Sequence, residues 1–562
     1  MAETFDYILV GAGSAGCVLA NRLSEDPATR VLLLEAGGRD DNLFIKIPAG
    51  FIKVVNEPSI QWPYVSEPEP QLNNRRMWQQ RGKVLGGSSS INAMMYMRGN
   101  ALDYDTWAEM GATGWSYADV LPYFRRSETY DRGADPYRGD SGPLGVQSGG
   151  KDSPLFDAFI EAGVEAGYPR NPDLNGRQQE GFGPSDSTVW KGLRSNTARS
   201  FLHPVEKRPN LEVRTRSHAT RILIEDHRAT GVCYERGGKH LEARAEREVI
   251  LCGGAINTPQ LLMLSGIGPG AHLSEHGIAS VHDLPGVGAN LMDHLCVYMH
   301  WECKEPVSMQ HHMRKPRFWL TGLQWLLFKS GVAARTQGEA VGFMRSRPGI
   351  KWPDVQVDFV PAAFLEDMTV APVPHAYSAH LGPLRPKSRG KIGLRSLDPY
   401  DMPSIFFNYL DCEEDWQDMR ASIALTREVF AQPAFDAYRA GEMLPGDHVN
   451  DQEGIDAFIR ETATTNFHAC GTCKMGSDPM AVVDPECRVH GIDGLRIADT
   501  SVIPQITSGN TNAPAIMIGE KVSDMIRGRS AQRAQVDVFV AQNWETHQRP
   551  MAAARSSATS SG

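Results

Sequence analysis

The apolar run Tyr7-Ile8-Leu9-Val10 leads into Gly11-Ala12-Gly13-Ser14-Ala15-Gly16, and the apolar positions of Cys17-Val18-Leu19-Ala20-Asn21-Arg22-Leu23 then take helical spacing. This pattern predicts strand, tight turn and helix. A second unbroken apolar run, Val31-Leu32-Leu33-Leu34, ends at Glu35-Ala36-Gly37, as expected of a parallel strand buried on both faces, so the opening reads as a βαβ unit. Alternation in Leu211-Glu212-Val213-Arg214-Thr215, the run Ile222-Leu223-Ile224 and the run Glu248-Val249-Ile250-Leu251-Cys252 predict further strands. Residues 317–330 and 414–432 have helical periodicity, and no internal repeat is visible.

Residues 38–150 are rich in Gly, Pro, Trp and Tyr, and they contain the long loop Arg81-Gly82-Lys83-Val84-Leu85-Gly86-Gly87-Ser88-Ser89-Ser90-Ile91-Asn92. A connection of that length is more often functional than idle. Gly286-Val287-Gly288-Ala289-Asn290-Leu291 follows Asp283-Leu284-Pro285 and lacks a third spaced glycine, so it reads as a turn. The Ala/Ser/Arg-rich end of the chain cannot bury enough surface to fold, and a frayed tail is expected.

Composition narrows the class. At 562 residues, with 41% hydrophobic and 22% charged positions, the chain has globular composition and room for several domain-sized units. The net charge of −10, from 57 basic against 67 acidic residues, comes without a basic cluster and argues against a nucleic-acid partner. Nine cysteines scattered from Cys17 to Cys487 point to a reducing compartment, hence the cytoplasm. Glu3 and Asp6 before the first apolar run are unlike a secretory signal, and no apolar stretch is long enough to span a bilayer. Membrane contact is expected to be peripheral at most, at the inner face. The stretch Gln532 to Gln548 is weakly amphipathic with few basic residues.

Gly11, Gly13 and Gly16 form G-x-G-x-x-G between strand and helix, with Glu35 at the end of the next strand. The glycines permit a tight turn against a pyrophosphate, the helix N-terminus supplies N–H donors, and the carboxylate accepts from a ribose hydroxyl. Glu rather than Arg at that position favours FAD or NAD over NADP, without choosing between the first two. Cys470-Gly471-Thr472-Cys473 has the spacing of a dithiol, but it lies far from the βαβ unit and has no second pair to complete a zinc site; no metal is expected. His468 is one of seventeen histidines, and spacing alone does not single it out.

The loop at 82–92 and the run Gly254-Ala255-Ile256-Asn257-Thr258-Pro259-Gln260-Leu261-Leu262-Met263-Leu264-Ser265-Gly266-Ile267-Gly268 resemble the two signature segments of the glucose–methanol–choline (GMC) oxidoreductases. The string from Gly286 to His294, Lys387-Ser388-Arg389-Gly390, the His468 segment and Leu495-Arg496-Ile497-Ala498-Asp499 follow the same family's order. The likeness is strongest to bacterial FAD alcohol dehydrogenases of primary alcohols, then to choline dehydrogenases.

The resemblance implies an α/β fold, with a Rossmann-like FAD-binding domain (1–155, 205–295 and 465–530) and an inserted α+β substrate domain of antiparallel sheet flanked by helices (156–204 and 296–464). Residues 531–562 would form the tail. It further implies that Gly11, Gly13, Ser14, Ala15 and Gly16 hold the pyrophosphate, and that Glu35 with Ala36 holds the adenosine ribose. Val84, Gly87, Asn92, Ala93, Met94 and Met95 would line the flavin, Ala219 the adenine, and Asp499 and Thr511 the remaining cofactor wall. His468 would be the base that takes the hydroxyl proton, with Asn510 as its hydrogen-bonding partner and Asn466 a substrate contact.

Some relatives attach FAD through a His before the signature Asn; Ile91 stands there, so FAD is expected to be non-covalent. His468 is followed by Ala469 where proline is common, which leaves the subfamily open. The expected reaction is FAD-dependent oxidation of a primary alcohol to an aldehyde, with electrons passed to a quinone-like acceptor. Choline dehydrogenase or an O2-using oxidase is the alternative, a flavin-containing hydroxynitrile lyase a more distant one, and an NAD dehydrogenase a third. Trp62, Tyr64 and Trp107 are candidate aromatic walls for a cation, although buried aromatics more often serve as core. The sequence does not report oligomeric state.

Overall fold

The computed structural model describes residues 3–150, 153–364 and 369–550. Two large sheets organise it. In the first, the strands Leu211–Arg214, Val31–Leu34, Glu3–Val10 and Lys239–Leu251 lie side by side and parallel, and Leu495–Ile497 adds to the end of the last. The long strand Lys239–Leu251 serves twice: its first half also joins the antiparallel pair Ser217–Glu225 and Arg228–Arg236, and its second half carries Leu495–Ile497. Val31 to Leu34 are all buried, which explains an unbroken apolar run where a half-exposed strand would alternate. The helix Ser14–Leu23 packs against the helix Asn512–Ile526, so segments nearly five hundred residues apart meet beside this sheet.

The second sheet is antiparallel throughout, in the order Arg439–Leu444, Leu295–Cys303, Ala376–Pro383, Val355–Val360, Ala340–Met344, Gly181–Pro184. Its two faces differ because side chains alternate along a strand. Trp301, Tyr377 and Phe359 point to one face and stack with Phe430 and Phe159 of the helices Glu413–Phe430 and Pro154–Glu165. Tyr298, His300, Asp358 and His380 take the other face, which is a cavity wall. The fold is thus a Rossmann-type parallel layer joined to a layer built on an antiparallel sheet.

The Gly286 string forms the turn its pattern predicts. Trp107 does not reach the cavity: it is fully buried against Tyr104 and Trp115, and its indole N–H donates to the Gln505 carbonyl. Residues 531–550 lack regular secondary structure but are strapped to the body, with Ala534 N–H donating to Ala118, Gly349 N–H to the Trp544 carbonyl, and Arg549 paired with Glu428. A tail free from residue 531 is therefore not what forms. The expected frayed end, 551–562, lies outside the described residues.

Candidate active site

A cavity of about 1120 Å³ runs from the C-terminal ends of the parallel strands to the polar face of the second sheet. Sites for small ligands usually measure about 300–1,000 Å³, so this one has room for a dinucleotide with a small substrate beside it.

At the first end, Gly11 sits at φ +106°, and a β-carbon there would lie 2.6 Å from the Cys252 carbonyl oxygen. A β-carbon on Gly16 would lie 2.0 Å from the Gly11 oxygen. These glycines are what let the helix Ser14–Leu23 start directly under the turn with its N–H groups facing the cavity. Gly16→Ala is expected to yield protein without the flavin absorbance at 450 nm and with a lower melting temperature, since overpacking of this kind costs roughly 1–3 kcal/mol or more. A yellow variant of unchanged melting temperature would count against this reading of the turn.

Glu35 is buried, and burial pushes its carboxyl up to about 7 despite N–H donors from Gly37 and Ala12 at 2.8 and 2.9 Å. Each carboxylate oxygen keeps a second lone pair for a ribose hydroxyl. Gly11, Gly13, Ser14, Ala15, Glu35, Ala36, Gly87, Asn92, Ala93, Met94, Met95, Ala219, Asp499 and Thr511 all lie on the cavity wall. Gly16 lies behind it, against Gly11. Val84 is not on the wall: its side chain packs with Ile45, Val54, Ile60 and Ile91. Asp499 takes N–H from Gly254 and Ser501 and the hydroxyl of Thr258, tying the start of the helix Gly254–Leu264 to the wall. The glycine cradle, the buried acid and the size of the cavity fit FAD. Ile91 on the wall offers no atom for a covalent link.

At the other end, His468 and Asn510 meet: Asn510 Nδ2 lies 3.0 Å from His468 Nε2. On the far side of the ring, His468 Nδ1 lies 2.9 Å from His294 Nδ1, and His294 Nε2 lies 2.8 Å from the Leu384 carbonyl oxygen. These contacts fix the protons. A carbonyl only accepts, so His294 carries its hydrogen on Nε2; burial lowers its pKa to about 4, so it is neutral and Nδ1 holds a lone pair. His468 must then donate from Nδ1, leaving a lone pair on Nε2, to which Asn510 donates. Burial, His294 and the Arg81 guanidinium all push the His468 pKa well below its ordinary value. The neutral, proton-accepting form is therefore the resting one.

The backbone is held just as firmly. Phe467 adopts φ +62°, a left-handed conformation costly for a non-glycine residue, and its carbonyl accepts from Arg81 at 2.6 Å. His468 N–H donates to Asp293, which also takes the hydroxyls of Tyr409 and Thr465. Asn510 Oδ1 is buried without a partner and Asn466 stands nearby on the wall, so both are available to a ligand.

Sequence reasoning did not single out His294, Arg81, Asp293 or the polar face of the second sheet. The register pairs Tyr298 with His380 and His380 with Asp358, making one row across three strands, with His300 beside it. His300 Nε2 is buried without a partner. Asp358 is 6% exposed, its carboxylate accepts from Gln356 at 2.7 Å, and burial raises its pKa to about 7. Strand alternation could have placed Tyr298 and His300 on one face, but the pairing of Tyr298 with His380, 82 positions on, and of His380 with Asp358 is not legible from spacing.

Two segments, residues 5–296 and 386–519, match the N- and C-terminal family models described as GMC oxidoreductase. The chain belongs to the GMC oxidoreductases. It is 48% identical over 547 residues to an oxygen-dependent choline dehydrogenase of Brucella ovis, covering 97% of this chain and 100% of the relative. It is 50% identical over 549 residues to an oxygen-dependent choline dehydrogenase of Sinorhizobium medicae, again covering 97% and 100%. The crystal structure of pyridoxine 4-oxidase from Mesorbium loti superposes with a TM-score of 0.85 at 31% identity, covering 94% of this chain and 100% of that one. The family assignment makes the chain an FAD-dependent oxidoreductase of CH–OH donors. Cys470 and Cys473 are both free, buried thiols, and no cluster of metal-binding side chains occurs among the described residues.

Proposed function

We propose that this GMC oxidoreductase oxidises choline, or a closely related cationic amino alcohol, to the aldehyde. The observation that carries the reading is Asp358, a buried carboxylate on the cavity wall within the row that includes Tyr298 and His380. Burial lowers the pKa of His380 to about 3 and of His300 to about 4, so neither supplies a positive charge near neutrality. An anionic oxygen beside an aromatic ring suits a quaternary ammonium group. The full-length likeness to choline dehydrogenases supports the same reading.

FAD, when bound, supplies the hydride acceptor. His468 takes the hydroxyl proton at Nε2, and Asn510 orients the same oxygen; its amide cannot act as a base. The row on the second sheet holds the cationic end. A quinone-class acceptor, as the primary-alcohol reading also implies, removes the electrons.

Anaerobic spectra of the FAD-loaded protein test this. Choline is expected to bleach the 450 nm band at concentrations at least tenfold lower than its neutral isostere 3,3-dimethylbutan-1-ol. Recovery of the band should be fast with a soluble quinone under nitrogen and slow in air. Preferential bleaching by neutral alkanols would restore the general primary-alcohol reading. A band that no alcohol bleaches would point to the lyase.

A further inference from the structure

The helix Arg317–Phe328 reverses the usual burial of apolar residues. Leu320, Leu323 and Leu327 are 62%, 51% and 62% exposed, and Trp319 and Phe328 are 64% and 72% exposed. It is held to the body by Trp325, whose indole N–H donates to the Gly192 carbonyl at 2.7 Å and whose ring packs on Ala333, Ala334, Ile47 and Ala49. A helix apolar on nearly all sides is ordinarily buried in a core or in lipid. The apolar surface continues onto Leu43 and Phe44, half-exposed just ahead of the Ile47 and Ala49 that touch Trp325. Exposed apolar patches of this extent mark interaction sites.

Charge indicates which partner. Residues 306–338 contain no Asp or Glu, although the chain as a whole carries −10. Arg314, Lys315 and Arg317 precede the apolar stretch and Lys329 follows it. Twelve helical residues span roughly 18 Å, too short to cross a hydrocarbon core of about 30 Å, and no helix among the described residues is long and apolar enough to cross a membrane. Apolar side chains with cationic ends suit a helix lying in the plane of an interface, where lipid takes the apolar residues and anionic headgroups take the charges. A two-fold contact with a second copy would instead set basic residues of one copy against the other's segment, which has no Asp or Glu between 306 and 338 to pair with them.

We propose that the helix Arg317–Phe328, with Leu43 and Phe44, docks this enzyme onto an anionic lipid surface. Its place in the fold gives that docking a consequence. Met313, on the preceding helical turn, packs against Val360 and Phe364, which line the cavity, and Thr336 to Gly338 on the following segment line it too. The lipid-facing surface therefore borders the active-site cavity. Residues 532–548, weakly amphipathic and poor in basic residues, instead lie against the body without regular secondary structure.

The test uses the full chain loaded with FAD. It is expected to co-sediment with vesicles of phosphatidylglycerol mixed into phosphatidylcholine, and at least tenfold less with phosphatidylcholine alone. Leu323→Glu with Leu327→Glu should weaken binding at least tenfold, and Lys315→Glu with Arg317→Glu should abolish the preference for anionic vesicles. Both variants should reduce a soluble dye with alcohol at the wild-type rate, because the substituted positions lie outside the catalytic cavity. Failure of the wild-type protein to sediment with anionic vesicles would overturn the proposal, as would unchanged binding by both variants. A lipid-free dimer that Leu323→Glu with Leu327→Glu converts to monomers would overturn it in favour of a second copy.

Discussion

His468→Ala is expected to slow alcohol-dependent bleaching of the bound flavin by about 10² to 10⁴-fold, the usual worth of a positioned general base, while FAD content and melting temperature change little. The positions of the protons are what make His468 the base. Leu384 fixes the hydrogen on His294, His294 fixes the hydrogen on His468, and the lone pair left on His468 Nε2 faces Asn510 and the cavity. Asn510 remains in the variant but cannot accept a proton at its amide nitrogen. The same geometry sets a pH dependence. The base works in its neutral form, which persists above its pKa, and burial, His294 and Arg81 push that pKa well below 6.5. At saturating substrate the bleaching rate should therefore stay level as pH falls through 6.5, where an ordinary histidine would already be half protonated, and decline only at lower pH. Stopped-flow absorbance at 450 nm measures both. A variant retaining more than a tenth of the wild-type rate would remove His468 from the role of base.

How much of this was legible beforehand depended on whether the signal was local. The βαβ unit lies within one short stretch, where the apolar run, the three glycines and Glu35 each have a fixed place relative to the next, and all of it formed as the pattern predicts. His468 and Asn510 were reached only through the family likeness, because forty-two residues separate them and nothing in their spacing demands contact. Val84 was expected beside the flavin, yet its side chain fills a small apolar cluster, since membership of a signature loop does not determine which way each side chain points. The helix at 317–328 was legible as a helix but not as an exposed one: periodicity reports a helix, and only the tertiary arrangement decides which sides are covered. The row of Tyr298, His380 and Asp358 was least legible. It exists because three distant strands pair in one register, and a shift of one residue would turn its members to the opposite face.

That row carries the second large effect, expected from Asp358→Asn. The substitution keeps the shape and the contact with Gln356 but removes the charge. If Asp358 holds the cationic end of the substrate, its loss costs about 2 kcal/mol or more, as for other buried charge pairs, which is roughly 30-fold in Kd. Binding of choline, read from the concentration dependence of flavin bleaching, should weaken by that factor, while 3,3-dimethylbutan-1-ol binds unchanged and the rate at saturation stays close to that of the parent. The pH dependence supplies an internal control. Burial raises the Asp358 pKa to about 7, so below that pH the carboxyl takes a proton that the cation must displace, and the Kd for choline should rise by up to tenfold per pH unit until it levels off near the value of the Asn variant. The Asn variant has no such proton, and its Kd should be flat over the same range. His380 and His300, with pKa values near 3 and 4, contribute no titration there. Equal losses for the charged and the neutral alcohol would show that the substitution merely disturbs the cavity wall, and the choline reading would then lose its structural support.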